Sequence, residues 1–239
     1  MAPLYEMLLT PGRSGRPGLP NRPVAVILHW TANLNLAANA VANRRYFENN
    51  PKLKAGAHYV VDDHQIVRCV PELEVAYHAG GTTYTEFARK TFGSALHAST
   101  IGIEMCVNSD GDFGATYRHT VELTADIVRR RKIPQEMILR HHDITGKDCP
   151  KYWVMDDAAK QFGFDSAATG WSKFKADVMG AMSIADWEQH WAASAIKWAI
   201  DRGLMSADKA GFFYPDRPLT RGELATVLQR FATNILKIQ

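Results

Sequence analysis

Short apolar runs alternate with longer segments of helical spacing along most of the chain. Val24–Leu28 is a continuous apolar stretch, the pattern of a strand buried on both faces, and it stops at His29-Trp30-Thr31. Leu36, Ala40, Val41 and Phe47 recur at helical spacing and predict a helix over 36–47. Ala57–Val61 and Ile66–Cys69 read as strands joined by a turn at Asp62-Asp63-His64-Gln65. In Thr100–Cys106, Ile101, Ile103 and Met105 alternate with Gly102 and Glu104, which places the two groups on opposite faces of a sheet. Val121, Ala125 and Val128 stripe a helix over 117–131; Pro134 ends it, and Met137–Arg140 is a further short strand that stops at His141. Strands alternating with helices predict an α/β domain. The first twenty or so residues, rich in Pro, Gly and Arg, read as an ordered arm or loop.

The pattern changes near Met179–Ser183. Trp171–Lys175 reads as the closing helix of a first domain, 1–180, and a small helical module follows over 181–239. In that module Trp191, Ala195 and Trp198 fall on one helical stripe. Thr220 and Glu223 form a capping box at the start of a second helix, which is expected to bury Leu224, Val227, Leu228 and Phe231.

Composition narrows the function classes. With 239 residues, 46% hydrophobic and 22% charged, the chain is an ordinary globular protein, which excludes a disordered or low-complexity one. A formal net charge of +3 without a dense basic patch argues against nucleic acid as a partner. No run approaches the roughly 18 apolar residues of a membrane span. Cys69, Cys106 and Cys149 are odd in number and widely spaced, so they build no disulfide framework and fit a reducing compartment. The opening residues Met1–Glu6 lack the basic and then apolar stretches of a signal peptide, so synthesis in the cytoplasm is expected.

The informative chemistry lies at strand ends. His29 follows one predicted strand, His141 follows another, and Cys149 lies eight residues beyond His141 in a Gly-containing loop. Carboxyl ends of strands are where α/β sheets place their sites. Zinc takes imidazole nitrogen and thiolate sulfur in a tetrahedron, and a catalytic site leaves the fourth position to water. Two strand-end histidines and a cysteine on a returning loop suit one such ion. His142 competes with His141 on spacing alone, because neighbouring strand residues point to opposite faces. His64, His97, His119 and His190 read as surface or core histidines, and Cys69 and Cys106 as small buried hydrophobes.

Five segments then occur in order: His29-Trp30-Thr31, Gly56-Ala57-His58-Tyr59-Val60-Val61-Asp62, Tyr77-His78-Ala79-Gly80, Ile101-Gly102-Ile103-Glu104, and His141–Pro150. Over residues 20–175 the chain resembles the zinc-dependent N-acetylmuramoyl-L-alanine amidases of the type 2 amidase and peptidoglycan-recognition-protein superfamily, in particular the lytic amidases of Bacillus-type phages. The resemblance implies a central mixed β-sheet flanked by helices, zinc (Zn2+) on His29, His141 and Cys149, and catalytic roles for Glu104 and Lys147. It places His58 and His78 along the substrate cleft. Some members carry a catalytic tyrosine just before the histidine of the second segment; Ala57 stands there in this chain, which leaves the proton transfer to Glu104. The implied substrate is the amide between N-acetylmuramic acid and L-alanine of peptidoglycan, and a phage enzyme of this kind reaches the wall through a holin-made lesion.

The tail resembles a surface-layer homology repeat in its Asp186-x-x-x-His190-Trp191-Ala192 start, its Gly211-x-Phe213-x-Pro215 loop and its Thr220-Arg221-x-Glu223 helix entry. Such repeats bind secondary cell-wall polysaccharide. The likeness gives Arg221 an anionic sugar group to pair with, since a guanidinium grips carboxylates bidentately, and has Asp186 and Trp191 shape the same groove. The family usually carries three repeats, and one is found here. The alternatives are a non-catalytic peptidoglycan-binding protein, a bacterial autolysin, and a muramidase. A muramidase needs a flanking carboxylate pair that the sequence does not offer.

Overall fold

The computed structural model describes residues 2–12, 15–50, 52–183, 187–188, 190–207 and 213–237. The chain divides into two compact units, 1–181 and 182–239. The first holds the strands β1 (Leu4–Glu6), β2 (Ala25–Trp30), β3 (Tyr59–Val61), β4 (Ile66–Arg68), β5 (Thr100–Met105) and β6 (Ile138–Arg140). They are accompanied by α1 (Ala40–Asn49), α2 (Glu86–Phe92), α3 (Phe113–Arg131), α4 (His141–Thr145), α5 (Asp156–Gln161) and α6 (Ala167–Ser183).

The strands form one mixed sheet in the order β1-β4-β3-β5-β2-β6. β2 runs parallel to both β5 and β6, β3 runs parallel to β5, and β3 and β4 form an antiparallel hairpin. Asp62 shapes that hairpin, since its Oδ1 accepts the amides of His64 and Gln65, and its Oδ2 accepts the amide of Ala40 at the start of α1.

Alternation along β2 decides what each face buries. Trp30 packs edge-on against Tyr152 and Phe162, in an aromatic layer that continues through Phe113, Trp153 and Phe174. Ala25 and Ile27, which share the face of His29, join Ala79, Ala88, Phe92, Leu96, Leu139 and Ile144 in a separate apolar cluster. Across the ladder, Ala25, Ile27 and His29 stand beside Thr100, Gly102 and Glu104.

Three features depart from the pattern of the sequence. β1 is a strand where a loop was expected. Its three residues are all exposed, so no alternation marks them, and their order comes from pairing with Ile66–Arg68. α1 starts at Ala40, because Ala37 takes a left-handed φ of 58° while its amide is held by Asp110. The third departure concerns the second unit, with α7 (Ala193–Asp201) and α8 (Arg221–Asn234). The capping box of Thr220 and Glu223 forms, with each side chain accepting the other's amide. The expected burial along α8 does not follow, for none of its residues is buried and Leu228 is 59% exposed. Trp191 is 90% exposed and the Arg202 guanidinium covers the Trp198 ring, while Ile196 and Leu204 turn inward. A unit of this size has little apolar surface to offer, so a helical stripe there lacks an opposing layer among the described residues. No helix among the described residues is long and apolar enough to cross a membrane.

Candidate metal centre

The register of the sheet assembles the site. His29 pairs with Glu104 across two parallel strands, so both side chains leave the same face at the carboxyl ends of β2 and β5. On the other side of β2, Leu28 pairs with Arg140, and His141 follows as the first residue of α4. The chain then turns through Gly146, in a left-handed conformation with φ 77°, and returns to Cys149. The amide of His142 donates to the Cys149 carbonyl, which fastens the returning loop.

His29 Nδ1 lies 3.1 Å from His141 Nδ1 and 3.8 Å from Cys149 Sγ. All three residues are buried, and a donor atom from each lies within 4.8 Å of the others. A tetrahedron with Zn–N of about 2.0 Å and Zn–S of about 2.3 Å has edges of about 3.3–3.6 Å, so the donor set fits zinc in type and size. The remaining imidazole nitrogens are also engaged. His29 Nε2 meets His78 Nδ1 at 3.0 Å, and His141 Nε2 meets the Gly80 carbonyl at 3.2 Å. His142, by contrast, is turned to the Lys147 carbonyl.

Burial dominates the electrostatics of the pocket. Burial, reinforced by the neighbouring His141 and Lys147, holds the His29 imidazole well below its ordinary pKa, so it is a neutral donor. Burial, with Lys147 adding to it, lowers His141 to about 4. Burial and the nearby Glu104 push the Cys149 thiol up to about 12. Burial pushes Glu104 up to about 8 against the pull of Lys147, and its Oε2 is buried without a hydrogen-bond partner. Burial thus favours the neutral form of imidazole, thiol and carboxyl alike, and an ion held by the three donors would offset the cost of a thiolate there.

The other residues singled out in the sequence are placed as follows. Lys147 is exposed on the returning loop, close enough to act electrostatically on His29, His141, Cys149 and Glu104. His78 is buried behind His29. His58 is fully buried, its Nδ1 taking the Gly102 amide and its Nε2 directed at the Glu74 carbonyl. Neither nitrogen of His58 is left to face a substrate, so in the structure it braces β5 and does not line a cleft. A cavity of about 510 Å³ opens at Thr31, two residues beyond His29, with Asn33, Asn35, Asn43 and Tyr46 in its wall. No periodicity in the sequence points to it, because its lining comes from a loop and one turn of α1. In the second unit Trp191 and Arg221 are exposed; Asp186 lies outside the described residues.

Comparisons agree with this architecture. Residues 19–152, more than half of the chain, match the family model of N-acetylmuramoyl-L-alanine amidase (Amidase_2), and residues 183–225 match that of the S-layer homology domain. The N-acetylmuramoyl-L-alanine amidase BlyA of Bacillus subtilis (strain 168) is 38% identical over 151 residues, which cover 58% of this chain and 40% of BlyA. XlyA, an N-acetylmuramoyl-L-alanine amidase of the same strain, is 30% identical over 183 residues, covering 77% of this chain and 53% of XlyA. The chain thus spans about half or less of the length of these relatives. A solved mutant endolysin from Bacillus subtilis superposes with a TM-score of 0.60 at 27% identity, over 74% of this chain and 99% of that one.

Proposed function

Because the chain belongs to the N-acetylmuramoyl-L-alanine amidase family, we propose that it hydrolyses the amide between N-acetylmuramic acid and L-alanine of peptidoglycan, as a zinc-dependent lytic enzyme of the endolysin type from a phage or prophage. The observation that carries this reading is the convergence of three buried donors, His29, His141 and Cys149, beside a carboxyl group on the same sheet face. A relative that only binds peptidoglycan needs no such convergence.

His29, His141 and Cys149 would hold the ion. When bound, zinc supplies a Lewis acid for the scissile carbonyl and makes water acidic enough to be deprotonated near neutral pH. Glu104 takes the proton from the attacking water at its unpartnered Oε2 and passes it to the leaving amine nitrogen. Lys147 places its ammonium where negative charge develops on the carbonyl oxygen. The amide- and hydroxyl-lined cavity from Thr31 to Tyr46 suits the sugar and peptide on either side of the cleaved bond. The C-terminal unit would tether the enzyme to an anionic wall polysaccharide, with Arg221 pairing acidic groups and Trp191 offering a ring face to the sugar.

Digestion of purified peptidoglycan, with and without a zinc chelator, tests the reading. New L-alanine amino termini on intact glycan strands, lost on chelation and restored by zinc, are the expected products by mass spectrometry. New reducing ends, or cleavage indifferent to chelation, would refute it. For the tether, Arg221→Ala should co-sediment less with wall fragments than the parent protein while digesting soluble fragments at the same rate.

A further inference from the structure

Two backbone carbonyls fix the protons of both histidines at the candidate metal centre, and one of them does so through His78. Thr100 Oγ1 lies 2.8 Å from the Leu96 carbonyl oxygen and 3.0 Å from His78 Nε2. A carbonyl has no proton to give, so the hydroxyl donates to Leu96 and its oxygen is left to accept from His78 Nε2–H. His78 Nδ1 is then bare and accepts the Nε2–H of His29, 3.0 Å away. His29 Nδ1, the atom that faces His141 and Cys149, therefore carries a free lone pair. The Gly80 carbonyl imposes the same result on His141, since Nε2 must donate to it and Nδ1 is left bare. One short segment, His78 to Gly80, thus backs both imidazoles.

The sheet is shaped to receive His78. Thr100 and Gly102 share the face of His29, and the His78 ring lies over Gly102. A Cβ at position 102 would fall 2.4 Å from His78 Cγ and 2.6 Å from its Nδ1, so no larger residue fits beneath the ring. Thr100 is fully buried and His78 nearly so, which keeps water from competing for either contact.

We propose that His78 is a positioning residue for the metal centre, which together with Thr100 holds His29 in the tautomer and ring orientation that aim Nδ1 at a zinc ion. The inference rests on the zinc site proposed above and adds a residue that acts on that site through His29. Histidine ligands elsewhere depend on such outer partners, whose loss typically weakens metal binding 10–100-fold.

Zinc affinity, measured on the full chain by competition with a chromophoric chelator, reads this directly. His78→Phe should weaken zinc binding about 10–100-fold. His78→Gln, which can still accept from His29 and donate to Thr100, should restore most of that loss, which a role in mere space-filling would not produce. Thr100→Val should weaken binding several-fold and covers the case in which His78→Phe does not fold. In the zinc-loaded parent protein, long-range 15N–1H spectra should show His78 protonated at Nε2 alone. Unchanged affinity in His78→Phe, or a proton on His78 Nδ1, would overturn the inference and leave the zinc site standing. A parent protein that takes up no zinc would overturn both.

Discussion

Glu72 is a buried carboxylate bonded to several partners, and its loss should be felt far from the candidate metal centre. It follows β4, is only 5% exposed, and binds three partners at once. Oε1 accepts Tyr59 O–H at 2.8 Å and Arg130 Nη2 at 2.9 Å, and Oε2 accepts Arg131 Nε at 2.7 Å. Burial alone would raise its pKa, but the hydrogen bonds and charge of Arg130, with those of Tyr59 and Arg131, hold it at about 2 against an ordinary 4.5. As the pH falls, the unfolded chain takes up this proton near 4.5 and the native chain only near 2. The stabilisation is therefore complete above about 4.5 and lost as the pH falls toward about 2. At about 1.4 kcal/mol per pH unit, the interval amounts to about 3 kcal/mol at pH 7 and to roughly half of that at pH 3. Glu72→Gln imitates the protonated group without changing its volume. Urea unfolding of parent and variant, followed by the emission of the buried Trp153 and Trp171, should give a difference of about 3 kcal/mol at neutral pH that roughly halves by pH 3. A difference that stays constant over that range, or one near zero at pH 7, would refute the assignment of the stability to this carboxylate.

Three further outcomes are expected. Glu104→Gln should retain zinc by elemental analysis while its peptidoglycan turnover falls about 10²–10⁴-fold; undiminished turnover would remove Glu104 from the proton transfer. Cys149→Ala should abolish the rise in Tm that added zinc gives the parent, a rise worth about 2.7 kcal/mol when zinc stands at 100 times its Kd. Equal zinc-dependent shifts in parent and variant would show that the sulfur is not a ligand. Gly102→Ala, which drives a methyl group into the His78 ring, should cost about 1–3 kcal/mol in thermal unfolding and weaken zinc binding as well. A variant as stable as the parent would mean that the ring has room to move.

How much of this was legible in the sequence depended on whether a signal was local. The apolar run before His29 and the alternation of Thr100–Met105 are local, and a strand formed at each, although β2 runs two residues beyond the apolar run and includes His29 and Trp30. His29 and Cys149 are 120 residues apart, and their 3.8 Å approach depends on the β2–β6 register and the turn at Gly146, neither of which spacing encodes. Glycine inside a strand signals a close approach, but the pattern around Gly102 does not say that His78 is what approaches. β1 escaped notice because its three exposed residues carry no contrast between faces. The stripe on α8 misled in the opposite sense, since a helical period tells which residues could be buried together and not whether another layer exists to bury them.

The part of the fold that carries the chemistry is held in register by the part that does not. In β2, Trp30 points into the aromatic layer of Tyr152 and Phe162, and its neighbour His29 necessarily points the other way. The same holds on β5, where Met105 takes a hydrogen bond from the buried Tyr152 hydroxyl while Glu104 faces His29. A slip of one residue on either strand would turn His29 or Glu104 into the aromatic layer and bring an apolar side chain to the metal side. Tyr152 and Trp153 stand three and four residues beyond Cys149, so the loop that delivers the sulfur is anchored in the very layer that fixes the two strands. Substitutions that loosen that layer should therefore misplace His29, Glu104 and Cys149 together, although none of its rings comes from the metal centre.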